Sequence, residues 1–122
     1  MPHIYLEYSD NITNLATQPI LKSINQSLLE GGYVSAAQDL KSRAIQQTDY
    51  VIGLGDPQEA YLHAKVALLC GRDEATKTEI SETVLKAIQT TFEKPKHLNV
   101  QVCVEIIEMP KFCYSKVNFT AE

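Results

Sequence analysis

The sequence has no tryptophan, only three cysteines and no run of lysine or arginine. Lys and Arg total 11 and Asp and Glu total 15, which gives a formal net charge of −4. Binding to nucleic acid or to an anionic membrane depends on clustered positive charge. The composition therefore argues against nucleic acid and against a membrane surface as partners.

Long apolar segments are missing as well. The longest apolar stretch, residues 64–70, contains Lys65 and is far shorter than the roughly 20 residues that span a bilayer. Residues 1–10 lack the basic start and apolar block of a signal peptide. Cys70, Cys103 and Cys113 are odd in number and have no metal-like spacing, so reduced thiols are expected. We therefore predict a cytoplasmic location.

What is present is an ordinary globular composition, with 122 residues of which 44% are hydrophobic. A chain of this length buries roughly two-thirds of its unfolded surface and can hold its own core. We therefore expect one domain over residues 1–122.

Two strands and a helix are predicted in the first half of the chain. Residues 3–8 alternate, with Ile4, Leu6 and Tyr8 on one side, as in a half-buried strand. Apolar residues recur at helical spacing from Ile20 to Leu29, with Pro19 in the first turn and two glycines as a stop at 31–32. Weak alternation over residues 37–47 predicts a second strand.

The second half repeats this plan. Alternation over residues 60–69 predicts a third strand, and Asp73 is a suitable N-cap for a helix that ends before Pro95. Residues 99–107 predict a fourth strand with valines on its apolar side. The tail beyond Pro110 is polar and aromatic, and a short strand is predicted near 117–119.

The predicted order β-α-β-β-α-β defines an α/β, two-layer subunit. Each βαβ unit should be parallel and right-handed, so that both helices lie on one face of a four-stranded sheet. The other face carries Tyr5, Ile45, Tyr61 and Cys103 among charged residues. One chain has no element left to cover that face, which predicts self-association.

Several short motifs of the chain match those of a known protein family. They are Met1-Pro2-His3, Glu7-x-Ser9-Asp10-Asn11-Ile12, Ser42-Arg43, His63 in the third strand and Gly71-Arg72. With them the chain resembles the 5-carboxymethyl-2-hydroxymuconate isomerase family of the tautomerase superfamily, over about its first 72 residues. The second half is similar mainly in plan. Thr13 and Lys41 stand where relatives carry arginine.

The resemblance implies a homotrimer of tautomerase-like subunits that moves a proton and shifts a double bond in an unsaturated keto or enol acid. The family reaction belongs to the degradation of aromatic acids such as homoprotocatechuate, and it uses no metal or organic cofactor. Pro2, freed by loss of Met1, would be the catalytic base. Arg43 and Arg72, together with Lys41, would bind the substrate carboxylates.

Elementary chemistry is compatible with these roles. A free α-amino group titrates near 8, and an apolar or cationic pocket lowers that pKa toward neutrality, where a general base works best. Lys41 and Arg43 lie two apart on a strand and so project from one face about 7 Å apart. Arg72 follows a strand-to-helix turn, where backbone N–H groups favour anions. The competing interpretations are a proline incidental to N-terminal processing and ordinary solvated charges.

Other polar residues are given structural roles. His63 is interpreted as a hydrogen-bonded strand residue, and Tyr5, Glu7 and Tyr61 as packing or interface residues. His3, His97 and Cys103 do not form a metal-ligand set. Two alternative functions stay open, namely another tautomerase reaction of the phenylpyruvate type and a non-enzymatic oligomeric binding protein of the same fold.

Overall fold

The computed structural model describes residues 2–122, and the predicted loss of Met1 concerns a residue outside them. The regular elements follow the predicted order. They are β1 (His3–Ser9), α1 (Thr17–Glu30), β2 (Lys41–Gln47), β3 (Glu59–Leu69), α2 (Glu74–Thr91) and β4 (Asn99–Met109). Single turns of 3-10 helix occupy Ala37–Asp39 and Lys111–Cys113.

One four-stranded mixed sheet has the strand order β2-β1-β3-β4. β1 is parallel to β2, β3 is parallel to β4, and the central pair β1 and β3 is antiparallel. As a consequence, β1 and β2 begin at the same edge of the sheet at which β3 and β4 end. His3 pairs there with Lys41 on one side and with Ala67 on the other.

The core lies between the two helices and one face of the sheet. Alternate residues of β1 and β3 are buried against the apolar sides of α1 and α2, as their two-residue and helical periods predict. The largest fully buried side chains are Ile4, Leu6, Ile12, Ile20, Ile24, Leu28, Leu62, Leu68, Ile80, Ile88, Val66 and Val84. The interpretation of a two-layer subunit with both helices on one face is thereby confirmed.

The helix boundaries follow local signals. The Asp73 carboxylate accepts a hydrogen bond from the N–H of Thr76 at 2.8 Å, which caps α2 and lowers the pKa of that carboxyl. Beyond α1, Gly32 adopts a φ of +77°, in the left-handed region that glycine enters without strain. Within residues 2–122, no helix is long and apolar enough to cross a membrane.

Two predicted strand segments are wrong. Residues 37–39 form a 3-10 turn, closed by the N–H of Leu40 on the carbonyl of Ala37, and β2 begins only at Lys41. Residues 117–119 form no strand. The chain around them crosses the edge of the sheet, since Tyr114 contacts His3 of β1 and Lys116 contacts Asp39 ahead of β2. A segment that runs across strands cannot pair along one.

Candidate active site

Pro2 is buried immediately ahead of β1. Its carbonyl accepts a hydrogen bond from the N–H of Lys41 at 3.3 Å, which extends the β1–β2 pairing by one residue toward the chain start. The backbone at Pro2 is therefore anchored on β2, and the proline stands at the edge where both strands begin.

Lys41 and Arg43 lie on the face of β2 that points away from the helices, opposite His3 and Tyr5 of β1. The Arg43 guanidinium carbon lies 4.4 Å from the centroid of the Tyr5 ring, within cation–π range. Its Nη2 donates to His3 Nδ1 at 3.0 Å and approaches the carbonyl of Lys41 at 3.4 Å. Side chains and backbone from two strands thus hold this guanidinium in place.

His3 stands between Arg43 and Tyr114, with Nε2 at 3.0 Å from the Tyr114 hydroxyl. An arginine can only donate, so Nδ1 must accept from Arg43 and the imidazole proton must sit on Nε2, facing Tyr114. Burial, and then the charges of Lys41 and Arg43, lower the pKa of His3 below its usual 6.5. Both the hydrogen-bond pattern and the charges therefore favour a neutral His3 at pH 7.

Arg72 follows Gly71 in the turn between β3 and α2. Its Nη1 donates to the carbonyl of Leu69 at 3.3 Å, and its Nη2 donates to the carbonyl of Tyr33 at 3.4 Å, just beyond α1. Because β3 ends at the edge where β1 begins, Arg72 stands at the same edge as Pro2. These hydrogen bonds tie the Arg72 side chain to the main chain at the end of β3 and just beyond α1. Arg43 instead belongs to the cluster formed with Tyr5, His3 and Tyr114.

A cavity of about 710 Å³ opens beside this cluster. Its walls are the start of β1 and β2, including His3 and Lys41, and the C-terminal segment 114–120. Lys41 and Lys116 bring positive charge to it, and Asp39 lies 3.8 Å from Lys116. The cavity is thus lined by His3, the residue that follows the predicted base, and its lysines can attract an anionic organic molecule.

His3 and Tyr114 are the site residues that the sequence analysis did not identify. His3 enters the sequence-based predictions only as part of the Met1-Pro2-His3 motif and of a rejected metal-ligand set, and Tyr114 has no predicted role. Alternation in β1 places His3 on the same side as Tyr5, which was a usable signal, whereas nothing local points from Tyr114 to a strand 111 residues away. Tyr5, interpreted as a packing residue, also supports the Arg43 guanidinium.

The remaining candidates lie outside this cluster. His63 Nε2 is 2.7 Å from a carboxylate oxygen of Glu105, on the open face of the sheet, in line with a structural role. Among the residues that the structure describes, no group of three or more His, Cys, Asp or Glu side chains could hold a metal ion.

A mixed sheet of this strand order, backed by two helices and preceded by a proline at the start of a central strand, is the two-layer subunit of the tautomerase fold. The family model of 5-carboxymethyl-2-hydroxymuconate isomerase matches residues 2–121, and the chain belongs to this family. Membership supports an isomerase of the tautomerase type. No curated protein matches the chain.

Solved structures share the fold. A 5-carboxymethyl-2-hydroxymuconate isomerase from Deinococcus radiodurans R1 superposes with a TM-score of 0.82 at 22% identity, covering 97% of this chain and 90% of that one. A 5-carboxymethyl-2-hydroxymuconate delta-isomerase gives 0.83 at 19% identity, with coverages of 97% and 89%. A fused 4-OT symmetric trimer gives 0.75 at 14% identity, with coverages of 98% and 94%. At these identities the likeness concerns the fold.

Proposed function

We propose that this protein moves a proton and a double bond in an unsaturated 2-hydroxy or 2-keto dicarboxylate, with the Pro2 amine as general base. The observation that carries the proposal is the burial of Pro2 beside Lys41, at the edge of the sheet where the cationic cavity opens. The proposal requires that the mature chain begins at Pro2, because an amide nitrogen has no basic lone pair.

The reaction needs one base and one electron sink. The neutral Pro2 amine takes the proton of the substrate's enol hydroxyl or acidic carbon, and the electron pair spreads over the conjugated dienolate. The resulting ammonium then delivers a proton to another carbon of the same system, so that atoms and charge balance without a cofactor. Burial and the neighbouring Lys41 disfavour the ammonium, which should bring the pKa of the amine below the reference of about 7.7–8.0.

The three cationic side chains have different roles in binding the substrate carboxylates. Arg43 is held against His3, which lines the cavity, and from there its planar fork would bind a carboxylate and stabilise charge on the dienolate oxygen. Arg72 has five N–H donors and directs two of its nitrogens to the main chain, so further donors remain for a carboxylate at the same edge. Lys41 supplies a point charge without a fork.

Assembly belongs to the same proposal. The sheet face opposite the helices carries Tyr5, half-buried in the single chain, together with the exposed Ile45 and Cys103. No helix among residues 2–122 covers this face, which a second and third copy would bury. We therefore propose a homotrimer, and family membership supports the further proposal that it is a cytoplasmic enzyme of aromatic-compound degradation.

The decisive experiment varies the N-terminus alone. Intact-mass spectrometry establishes whether a preparation begins at Pro2, and stopped-flow spectroscopy follows ketonisation of 2-hydroxymuconate and of phenylenolpyruvate. Protein that begins at Pro2 should be active, with a rate that rises with pH as the amine loses its proton. A chain extended at its N-terminus should be inactive, and Pro2→Ala should keep part of the activity because it retains a primary amine.

Three results would contradict parts of this proposal. Equal rates for the processed and the extended protein would exclude Pro2 as the base. Absence of enol ketonisation with both substrates, in protein shown to begin at Pro2, would favour a binding protein of the same fold. Preference for the monocarboxylate phenylenolpyruvate would point to a phenylpyruvate-type tautomerase.

A further inference from the structure

We propose that His3 is a positioning residue that orients the Arg43 guanidinium, and that Tyr114 of the C-terminal segment in turn orients His3. The inference deepens the proposed function, since it assigns two further residues to the carboxylate-binding part of the same site. It rests on a continuous series of contacts between Arg43, His3 and Tyr114.

The direction of these hydrogen bonds leaves little freedom. Arg43 donates to Nδ1, so the Nε2–H of His3 donates to the Tyr114 oxygen. The hydroxyl of Tyr114 then keeps its own hydrogen for another acceptor at the cavity wall, which Tyr114 helps to form. The His3 and Tyr114 rings also meet edge to face, with centroids 6.1 Å apart, which fixes the plane of the imidazole.

This arrangement works only with a neutral imidazole. A proton on Nδ1 would set two donors and two positive charges against each other over the 3.0 Å between His3 and Arg43. The other groups around His3 are Tyr5 on its own strand, Lys41 on β2, and Lys116 and Tyr114 on the C-terminal segment. The charged neighbours Lys41, Arg43 and Lys116, together with the amino terminus of the chain, disfavour the imidazolium and lower the pKa of His3. Acidification through that pKa should release Arg43.

The same contacts explain how an irregular segment can form a cavity wall. Beyond the turn at Lys111–Cys113, residues 114–122 have no regular secondary structure. Tyr114 joins this segment to β1, and Lys116 lies 3.8 Å from Asp39 ahead of β2. Loss of the Tyr114 hydroxyl should therefore affect both the orientation of His3 and the shape of the cavity.

Two substitutions of His3 separate its two hydrogen bonds. The amide of asparagine overlays the Nδ1 side of an imidazole, and the amide of glutamine overlays the Nε2 side. His3→Asn therefore keeps an acceptor for Arg43, while His3→Gln keeps a donor for Tyr114 and loses that acceptor. Tyr114→Phe removes only the hydroxyl. His97→Gln, at an exposed position outside the cluster, is the matched control.

Adipate is a suitable probe, because this saturated dicarboxylate reports binding without any proton transfer. Calorimetry at pH 7.5 should show adipate binding weakened about tenfold by His3→Gln, which corresponds to about 1.4 kcal/mol. His3→Asn and Tyr114→Phe should weaken it less, and His97→Gln should not change it. In the wild type, affinity should fall as the pH drops below 6.5, and this decline should be smaller in His3→Asn.

A second measurement does not depend on binding or activity. Long-range ¹H–¹⁵N NMR, with the His3 signals assigned from their loss in His3→Asn, should show the neutral Nε2–H tautomer at pH 7.5. Arg43→Ala should raise the pKa of His3. A charged His3 or an Nδ1–H tautomer at pH 7.5 would overturn the proposal, as would equal adipate affinities for His3→Gln and His3→Asn. Adipate binding with this pattern in a protein that is shown to begin at Pro2 and yet is inactive would refute the Pro2 mechanism and leave the role of His3 intact.

Discussion

The guanidinium of Arg43 lies over the ring of Tyr5, its register partner on the neighbouring parallel strand, at 4.4 Å from the centroid. The same guanidinium donates to His3, so two residues of β1 hold one residue of β2. A planar group held in this way is oriented before any substrate binds, which reduces the entropy that binding must overcome.

The first prediction concerns the three cations. Arg43→Ala should lower kcat/KM for a dicarboxylate enol by roughly 10- to 100-fold, because charged hydrogen bonds contribute about 1.5–3 kcal/mol. Arg72→Ala should act mainly through KM, and Lys41→Ala should do less. Arg43→Lys should restore little, since an ammonium cannot reproduce the fork. Steady-state kinetics tests this, with Lys86→Ala on the exposed side of α2 as control; unchanged kcat/KM in both arginine variants would remove them from the site.

The second prediction concerns stability at acidic pH. The unfolded chain binds a proton at His3 with a pKa near 6.5, whereas the folded chain binds it only at lower pH. Between those two values the unfolded state holds more protons, so the free energy of unfolding must fall as the pH decreases. The contribution of His3 to the free energy of unfolding is fully present above pH 6.5 and is lost as the pH falls through the lowered pKa of the folded state. Urea titrations at pH 7.5, 6.0 and 5.0 should show a smaller decline for His3→Asn than for the wild type, and parallel declines would contradict the assignment.

The third prediction concerns Ser9, a fully buried polar residue at the end of β1. Its hydroxyl oxygen accepts the N–H of Tyr61 on β3 at 3.0 Å. Ser9→Ala leaves that N–H without its acceptor and should lower the free energy of unfolding by about 1–3 kcal/mol. Ser35→Ala, at an exposed position, is the matched control. Urea denaturation measures both, and equal stability of the two variants would refute the structural role of the Ser9 hydroxyl.

The fourth prediction concerns assembly. If copies of this chain cover the open face of the sheet, sedimentation equilibrium at micromolar concentration should give about three times the chain mass of 13.6 kDa. Ile45, which is 40% exposed on that face of the single chain, offers a direct perturbation. Ile45→Asp should shift the equilibrium toward smaller species, because it would bury a charge between subunits. Leu54→Asp, on an exposed loop, is the control. A wild-type monomer would contradict the proposed architecture.

The sequence alone determined most of the secondary structure, because hydrophobic period and capping are local properties. Alternation of Ile4 and Leu6 located β1, and Asp73 located the start of α2. The β-α-β-β-α-β order then restricted the fold to one sheet with both helices on one side. The same local reasoning failed over residues 37–39 and 117–119, where sheet pairing and the path of the chain override weak periodicity.

The sequence, through its resemblance to a family, also predicted Pro2, Lys41, Arg43 and Arg72 as site residues, and three of them lie where β1 and β2 begin. Only the tertiary structure decided which side chains contact and orient these residues. Strand register set Arg43 over Tyr5 and beside His3, and the path of the C-terminal segment brought Tyr114 to His3 from 111 residues away. Periodicity reports which side of an element a residue faces, whereas contacts between distant segments depend on register and packing of the whole chain. The contact between His3 and Tyr114 could therefore be found only in the folded chain.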